Sequence, residues 1–163
     1  MPSKTLPPKP RSIAAKKTIS IVASLYNEDL VNSLLDSTIH GLRTSIPGIT
    51  VNIYRVPGAF EIPVCVKKLI ETNNVDVMIA LGVIIKGETS HADLVGSSVT
   101  QSLQDIATNF NTPIIHEVLL TENREQAIER CIGDKNRGKE AAKAAATMSE
   151  LFSSLDAANN RIL

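Results

Sequence analysis

The sequence predicts one α/β domain, a three-layer sandwich in which a four-stranded parallel sheet is flanked by helices on both faces. Three observations lead there. Four short runs of Ile, Val and Leu alternate with segments of helical periodicity, and a βαβ alternation implies parallel strands joined by right-handed crossovers. Aromatics make up only 3% of the chain and Trp is absent, so the core must be filled by Ile, Val, Leu and Ala, as under a parallel sheet covered by helices. At 163 residues, 43% hydrophobic and 21% charged, the chain buries a core without disulfide or metal staples.

The first strand is Thr18 to Ser24, short and nearly continuous in apolar and β-branched residues. Tyr26-Asn27-Glu28-Asp29 follows as a turn with capping residues. Leu30, Val31, Leu34, Leu35, Ile39 and Leu42 then recur at helical spacing until Pro47-Gly48 stops the helix. Ile49 to Val56 is the second strand, closed by Pro57-Gly58, and a helix is expected from about Phe60 to Thr72. The third strand, Val75 to Ile85, is the most hydrophobic and ends in Lys86-Gly87-Glu88-Thr89-Ser90-His91. A long helix follows, with Leu94, Val95, Val99, Leu103 and Ile106 expected on one face. Pro113 to Leu120 is the fourth strand. Asn123 is placed to cap a short helix through Arg130, Asn136-Arg137-Gly138 is expected to break it, and an alanine-rich helix runs from Lys139 to about Leu155.

Residues 1–16 are set apart as a basic arm, ahead of a single domain over 17–158. Residues 1–17 carry five basic side chains and no acid, so the rest of this formally neutral chain holds an excess of acids. A proline cluster at Pro7, Pro8 and Pro10 and no aromatic to stack on a base make the arm read as disordered rather than as a nucleic-acid contact; its acid-free composition is also that of a transit peptide. No segment has the length of a membrane span, and no apolar run behind the basic residues marks a secretory signal. Cys65 and Cys131 lack zinc or redox spacing, and Cys65 reads as a buried small hydrophobe. The three histidines, His40, His91 and His116, lie far apart and suggest no metal site. A reducing, cytoplasmic setting is expected, with neither membrane nor nucleic acid as partner.

Ligands of open parallel sheets bind outside the carboxyl ends of the strands. Four groups should therefore converge: Tyr26-Asn27, Pro57 to Glu61, Lys86 to His91, and Leu120 to Glu122. In the Lys86–His91 turn, Gly87 lets a ligand approach the backbone, while the N–H groups of Thr89, Ser90 and the first helical turn favour a phosphate. An ordinary strand-to-helix turn capped by Thr89 or Ser90 offers the same residues. His91, in the first turn, is expected to face the crevice, where the positive helix end favours the neutral base; Asp93 and Glu61 are candidates to orient it. Phe60 and Glu61 offer a ring and a carboxylate suited to a planar heterocycle bearing hydroxyl or N–H groups, or else a hydrophobic staple with a first-turn acid. Arg130 and Arg137 bracket a polar loop, and either has the fork to grip a phosphate, although a surface arginine in water needs no such role.

Together these residues resemble the 6,7-dimethyl-8-ribityllumazine synthases over about Thr18 to Leu151. The pieces are Leu25-Tyr26-Asn27-Glu28, Val56-Pro57-Gly58-Ala59-Phe60-Glu61-Ile62-Pro63, Ala80 through His91, Leu120-Thr121-Glu122-Asn123, Glu125 through Arg130, and Asn136-Arg137-Gly138. The resemblance implies a flavodoxin-like topology and a cofactor-free condensation. In it, 5-amino-6-(D-ribitylamino)uracil and 3,4-dihydroxy-2-butanone 4-phosphate give the lumazine, phosphate and water. It implies that Tyr26 stacks on the pyrimidine with Asn27 beside it, that Ala59, Phe60 and Glu61 hold the ribityl chain, and that the backbone of Ile84, Ile85 and Lys86 binds the pyrimidine edge. Gly87, Glu88, Thr89 and Arg130 would bind the phosphate, His91 would shuttle protons, and His116 and Arg137 would complete the substrate site. It also implies a homopentamer with sites shared between neighbours, either standing alone or with twelve pentamers joined in a hollow shell.

Three positions depart from the family pattern. Tyr26 stands for a Phe and keeps a stacking ring. His116 stands where an aromatic or apolar residue from the neighbouring subunit is common. Arg137 stands where Lys is common, in a loop that looks one residue short. A paralogue that binds a flavin or lumazine without making one, or that only builds a shell, shares the fold but leaves the His91–Arg130 set without a purpose.

Overall fold

A computed structural model describes residues 16–160; the expected basic arm lies almost wholly outside them. The elements follow in the order β1 (Thr18–Ser24), α1 (Glu28–Ser45), β2 (Thr50–Val56), a 3-10 turn (Ala59–Glu61), α2 (Ile62–Thr72), β3 (Val77–Ile85), α3 (His91–Phe110), β4 (Ile114–Thr121), α4 (Arg124–Cys131) and α5 (Arg137–Asn159). All strand pairings are parallel, in the order β2-β1-β3-β4. This is the expected flavodoxin-like three-layer sandwich.

Alternation along the strands sorts the core into two halves. Ile19, Ile21, Ala23, Ile79 and Leu81 pack against Leu30, Leu34 and Leu42 of α1, Ala127 of α4, and Ala141 and Ala145 of α5. Val22, Met78, Ala80 and Val118 face Ile62 and Val66 of α2 with Val99 and Leu103 of α3. Each fully buried Leu or Ile contributes about 2 kcal/mol by leaving water. β1 and β3 are the continuous apolar runs because helices cover both their faces.

Four expectations shift, two at helix starts and two in burial. The helix expected from Phe60 begins instead at Ile62, with Pro63 in its first turn and a 3-10 turn ahead of it. Proline lacks the N–H that an α-helix interior uses, and Glu61 N–H donates to the Gly58 carbonyl at 3.3 Å to tighten the entry. Asn136-Arg137-Gly138 does not break a helix but starts one, because the Asn136 side chain accepts from Gly138 N–H at 2.8 Å as an N-cap. Leu94 lies off the buried stripe of α3 and is 67% exposed; it is turned about 140° from Val99 around the helix. Cys65 is half-buried rather than buried, whereas Cys131 is buried and its thiol is pushed up to about 11 by that burial.

Candidate active site

The carboxyl ends of β1 and β3 and the turn after β2 meet, as the topology requires. Leu25 and Tyr26 N–H groups donate to the carbonyls of Val56 and Pro57 at 2.7 and 3.1 Å, and Lys86 N–H donates to Thr121 at 2.8 Å. Between them opens a cavity of about 360 Å³ walled by Tyr26, Ala59, Phe60, Glu61, Ile84, Ile85 and His91. Gly58, Val83, Ala92 and Val95 complete the wall. Tyr26 and Phe60 are 73% and 62% exposed, a costly placement for two rings in a chain with few of them, and one that leaves both free to stack on a flat ligand.

Each side chain is set by local structure. Asn27 takes the left-handed conformation, with φ 55°, which Asn tolerates better than most residues. Its side chain does not cap α1; Nδ2 donates instead to the Val83 carbonyl at 2.8 Å and ties the end of β1 to β3. Glu61 Oε2 accepts from Gly58 N–H at 3.0 Å, one half of a capping box. His91 is exposed as the first residue of α3. Neither expected orienter bonds to it: Glu61 is turned to Gly58, and Asp93 is turned to Lys86.

Gly87 through Ser90 lie exposed in front of α3. A Cβ added to Gly87 would meet nothing within 4 Å, so the chain's own packing does not demand glycine there. Lys86 Nζ donates to Glu122 Oε1 at 2.7 Å and lies 3.3 Å from Asp93 Oδ1. These two partners, the Glu122 bond first, raise its pKa.

His116, Arg130 and Arg137 do not reach this cavity within one chain. His116 lies midway along β4, opposite Ala80 in the register, and shares a hydrogen bond of 2.9 Å with Thr100 of α3. Its ring keeps contact with solvent, while the protein packed around it pushes its pKa below the ordinary imidazole value. Arg130 is exposed on α4 and makes no ion pair among the described residues.

Arg137 is committed inside the chain. Its Nε and Nη2 donate to the two Glu117 oxygens at 3.2 and 3.3 Å, and Nη1 pairs with Glu140. Glu117 is only 5% exposed. Burial raises its pKa, and the Arg137 hydrogen bonds oppose that shift in part. Strand periodicity alone marks Glu117 as a buried acid. Strand alternation places Glu117 on the face of Ile115 and Leu119, where an acid requires a partner.

Among the described residues no group of three or more His, Cys, Asp or Glu could hold a metal ion, and no helix is long and apolar enough to cross a membrane.

Comparison with known proteins joins this geometry to a family. The family described as 6,7-dimethyl-8-ribityllumazine synthase matches residues 16–153. A 6,7-dimethyl-8-ribityllumazine synthase of Burkholderia mallei (strain SAVP1) is 43% identical over 139 residues, covering 85% of this chain and 79% of the relative. Namesakes from Burkholderia pseudomallei (strain 668) and Burkholderia multivorans are 43% and 42% identical over the same shares. The chain belongs to the 6,7-dimethyl-8-ribityllumazine synthase family.

Proposed function

We propose that this chain condenses 5-amino-6-(D-ribitylamino)uracil with 3,4-dihydroxy-2-butanone 4-phosphate at the Tyr26–His91 cavity, giving 6,7-dimethyl-8-ribityllumazine, phosphate and water. The observation that carries the reading is the single cavity of about 360 Å³ that gathers Tyr26, Phe60, Glu61 and His91 from three strand ends. The pyrimidine stacks on Tyr26, with the Ile84–Lys86 backbone along its edge and Asn27 holding that backbone in place. Ala59, Phe60 and Glu61 take the ribityl chain. The phosphate rests on Gly87, Glu88 and Thr89 at the start of α3, where unpaired N–H groups and the helix dipole favour an anion.

The chemistry asks little covalent work of the protein. The pyrimidine's amine attacks the ketone and one water is lost to form an imine; phosphate then leaves by elimination, and the second nitrogen attacks the remaining carbonyl and expels a second water as the ring closes. His91 takes and returns the protons, and holding two substrates in register supplies much of the rate.

His116, Arg130 and the exposed part of Arg137, beyond its bonds to Glu117 and Glu140, enter the site from a second copy, in a homopentamer that stands alone or joins eleven others in a shell. The support lies beside the cavity. A groove of about 640 Å³ between α2 and α3 exposes Phe60, Val64 and Phe110, apolar side chains that a neighbouring copy would cover. The free thiols of Cys65 and Cys131 fit a reducing, cytoplasmic setting. Lumazine formed from the two substrates above the spontaneous rate establishes the reaction. The shared site is tested by reassembling a mixture of His91→Ala and Arg130→Ala chains. A mixture more active than either variant alone supports sharing, and one no better than their average refutes it.

A further inference from the structure

Lys86 is the hub of the turn that the proposed reaction assigns to phosphate, and the surroundings of its ammonium group have no place in the family argument. Its side chain spans the turn. Lys86 is the first residue of the turn, Asp93 stands in the first turn of α3, and Glu122 follows the end of β4. One ammonium thus ties the end of β3, the start of α3 and the end of β4.

Little else holds the turn. Gly87 through Ser90 are exposed, and the α3 N-cap position Ser90 makes no side-chain cap bond. Thr89 Oγ1 accepts from His91 N–H only at 3.5 Å, the outer limit of a hydrogen bond. The turn also carries an unfavourable field. Glu88 lies in the turn itself and Asp93 and Glu122 flank it, so three carboxylates belong to this corner, and among the described residues Lys86 is the one cation paired with any of them. The nearby Arg124 is paired with Asp29 instead. Exposed pairs of this kind add little stability, but fixed charges at the mouth of a site govern the approach of a charged ligand.

We propose that Lys86 is a positioning residue for the phosphosugar: it latches the Gly87–Ser90 turn between Asp93 and Glu122 and cancels the carboxylate charge that would oppose an incoming phosphate. The inference rests on the reaction proposed above for its phosphate-bearing substrate, while the latch itself is a property of the chain alone.

The test uses the full chain with Lys86→Gln, Lys86→Arg and the triple variant K86Q/D93N/E122Q. Two readouts are needed: the KM of each substrate, and amide exchange at Lys86 and Leu94, whose N–H groups bond to Thr121 and Ser90. Lys86→Gln is expected to raise the phosphosugar KM roughly tenfold, raise the pyrimidine KM by a smaller factor because the loosened Lys86 backbone also borders that substrate, and speed exchange at both amides. Lys86→Arg should restore both readouts. The triple variant, freed of the opposing carboxylates, should recover the phosphosugar KM while its exchange stays fast. Unchanged phosphosugar KM and unchanged exchange in Lys86→Gln would overturn the proposal, as would an equal rise in both KM values. If the parent protein makes no lumazine, the reaction assignment falls, and the exchange readout still decides the latch.

Discussion

Arg137 grips Glu117 with two parallel hydrogen bonds, Nε to Oε2 at 3.2 Å and Nη2 to Oε1 at 3.3 Å, across the gap between the start of α5 and the middle of β4. Glu117 is buried, whereas the Arg137 side chain is 40% exposed. Removing the arginine therefore leaves a carboxylate with little water to replace its partner. Arg137→Ala is expected to cost about 2 kcal/mol in urea unfolding, below the range for a fully buried pair because Arg137 is partly solvated. Arg137→Ala combined with Glu117→Gln should lose less than Arg137→Ala alone. An equal or larger loss in the double variant would show that the pair is not what holds the two elements.

The same carboxylate gives the protein a pH dependence of known sign. Burial raises the Glu117 pKa above its ordinary 4.5 despite Arg137. Between 4.5 and the raised value, the folded chain holds the proton more tightly than the unfolded chain. This residue's contribution to stability therefore falls as pH rises through that window, and recovers as pH falls through it. Glu117→Gln should be at least as stable as the parent at neutral pH, with the difference shrinking towards pH 4.5. Chemical unfolding of both proteins across that range checks it; a variant advantage that grows towards acid would reverse the sign.

Gly87 separates packing from function. With nothing within 4 Å of an added Cβ, Gly87→Ala should unfold within about 0.5 kcal/mol of the parent. The same methyl would stand where the phosphate approaches the backbone, so the KM of the phosphosugar should rise several-fold. A Gly87→Ala enzyme with unchanged KM would move the phosphate away from this turn.

Arg130 and His91 should fail differently. Arg130 has no ion pair of its own among the described residues, so Arg130→Ala should chiefly raise the phosphosugar KM. His91→Ala should slow kcat modestly, because positioning of the two substrates survives. Steady-state kinetics with each substrate varied in turn separates the two. An unchanged phosphosugar KM in Arg130→Ala would remove that residue from the phosphate role.

The parts of this molecule set by local rules were readable before the fold. β1 and β3 announce themselves as continuous apolar runs, Asn123 caps α4 by accepting from Gln126 N–H at 2.9 Å, and the strand ends converge because a parallel sheet allows nothing else. Some misses are local, such as the Asn136 cap two residues on at Gly138, but the rest depend on what lies across space. Lys86 meets Glu122 only because β3 pairs with β4. The bond that turns Asp93 away from His91 carries no mark in the sequence, whereas the Glu61 bond to Gly58 is the first-turn acid contact that its position allows. Asn136 looked like a helix breaker because its cap depends on how the backbone turns. His116, Arg130 and Arg137 were grouped with the site by resemblance, yet one chain alone keeps them off the cavity.

The central claim is tested most directly by mixing the purified protein with both substrates and following lumazine absorbance and free phosphate in one experiment. The account predicts that the two rise together, one phosphate for each lumazine, well above the rate without protein. Both traces at the spontaneous rate, with a lumazine or flavin still held tightly in the cavity, would contradict it and leave a binding protein in the shape of a synthase.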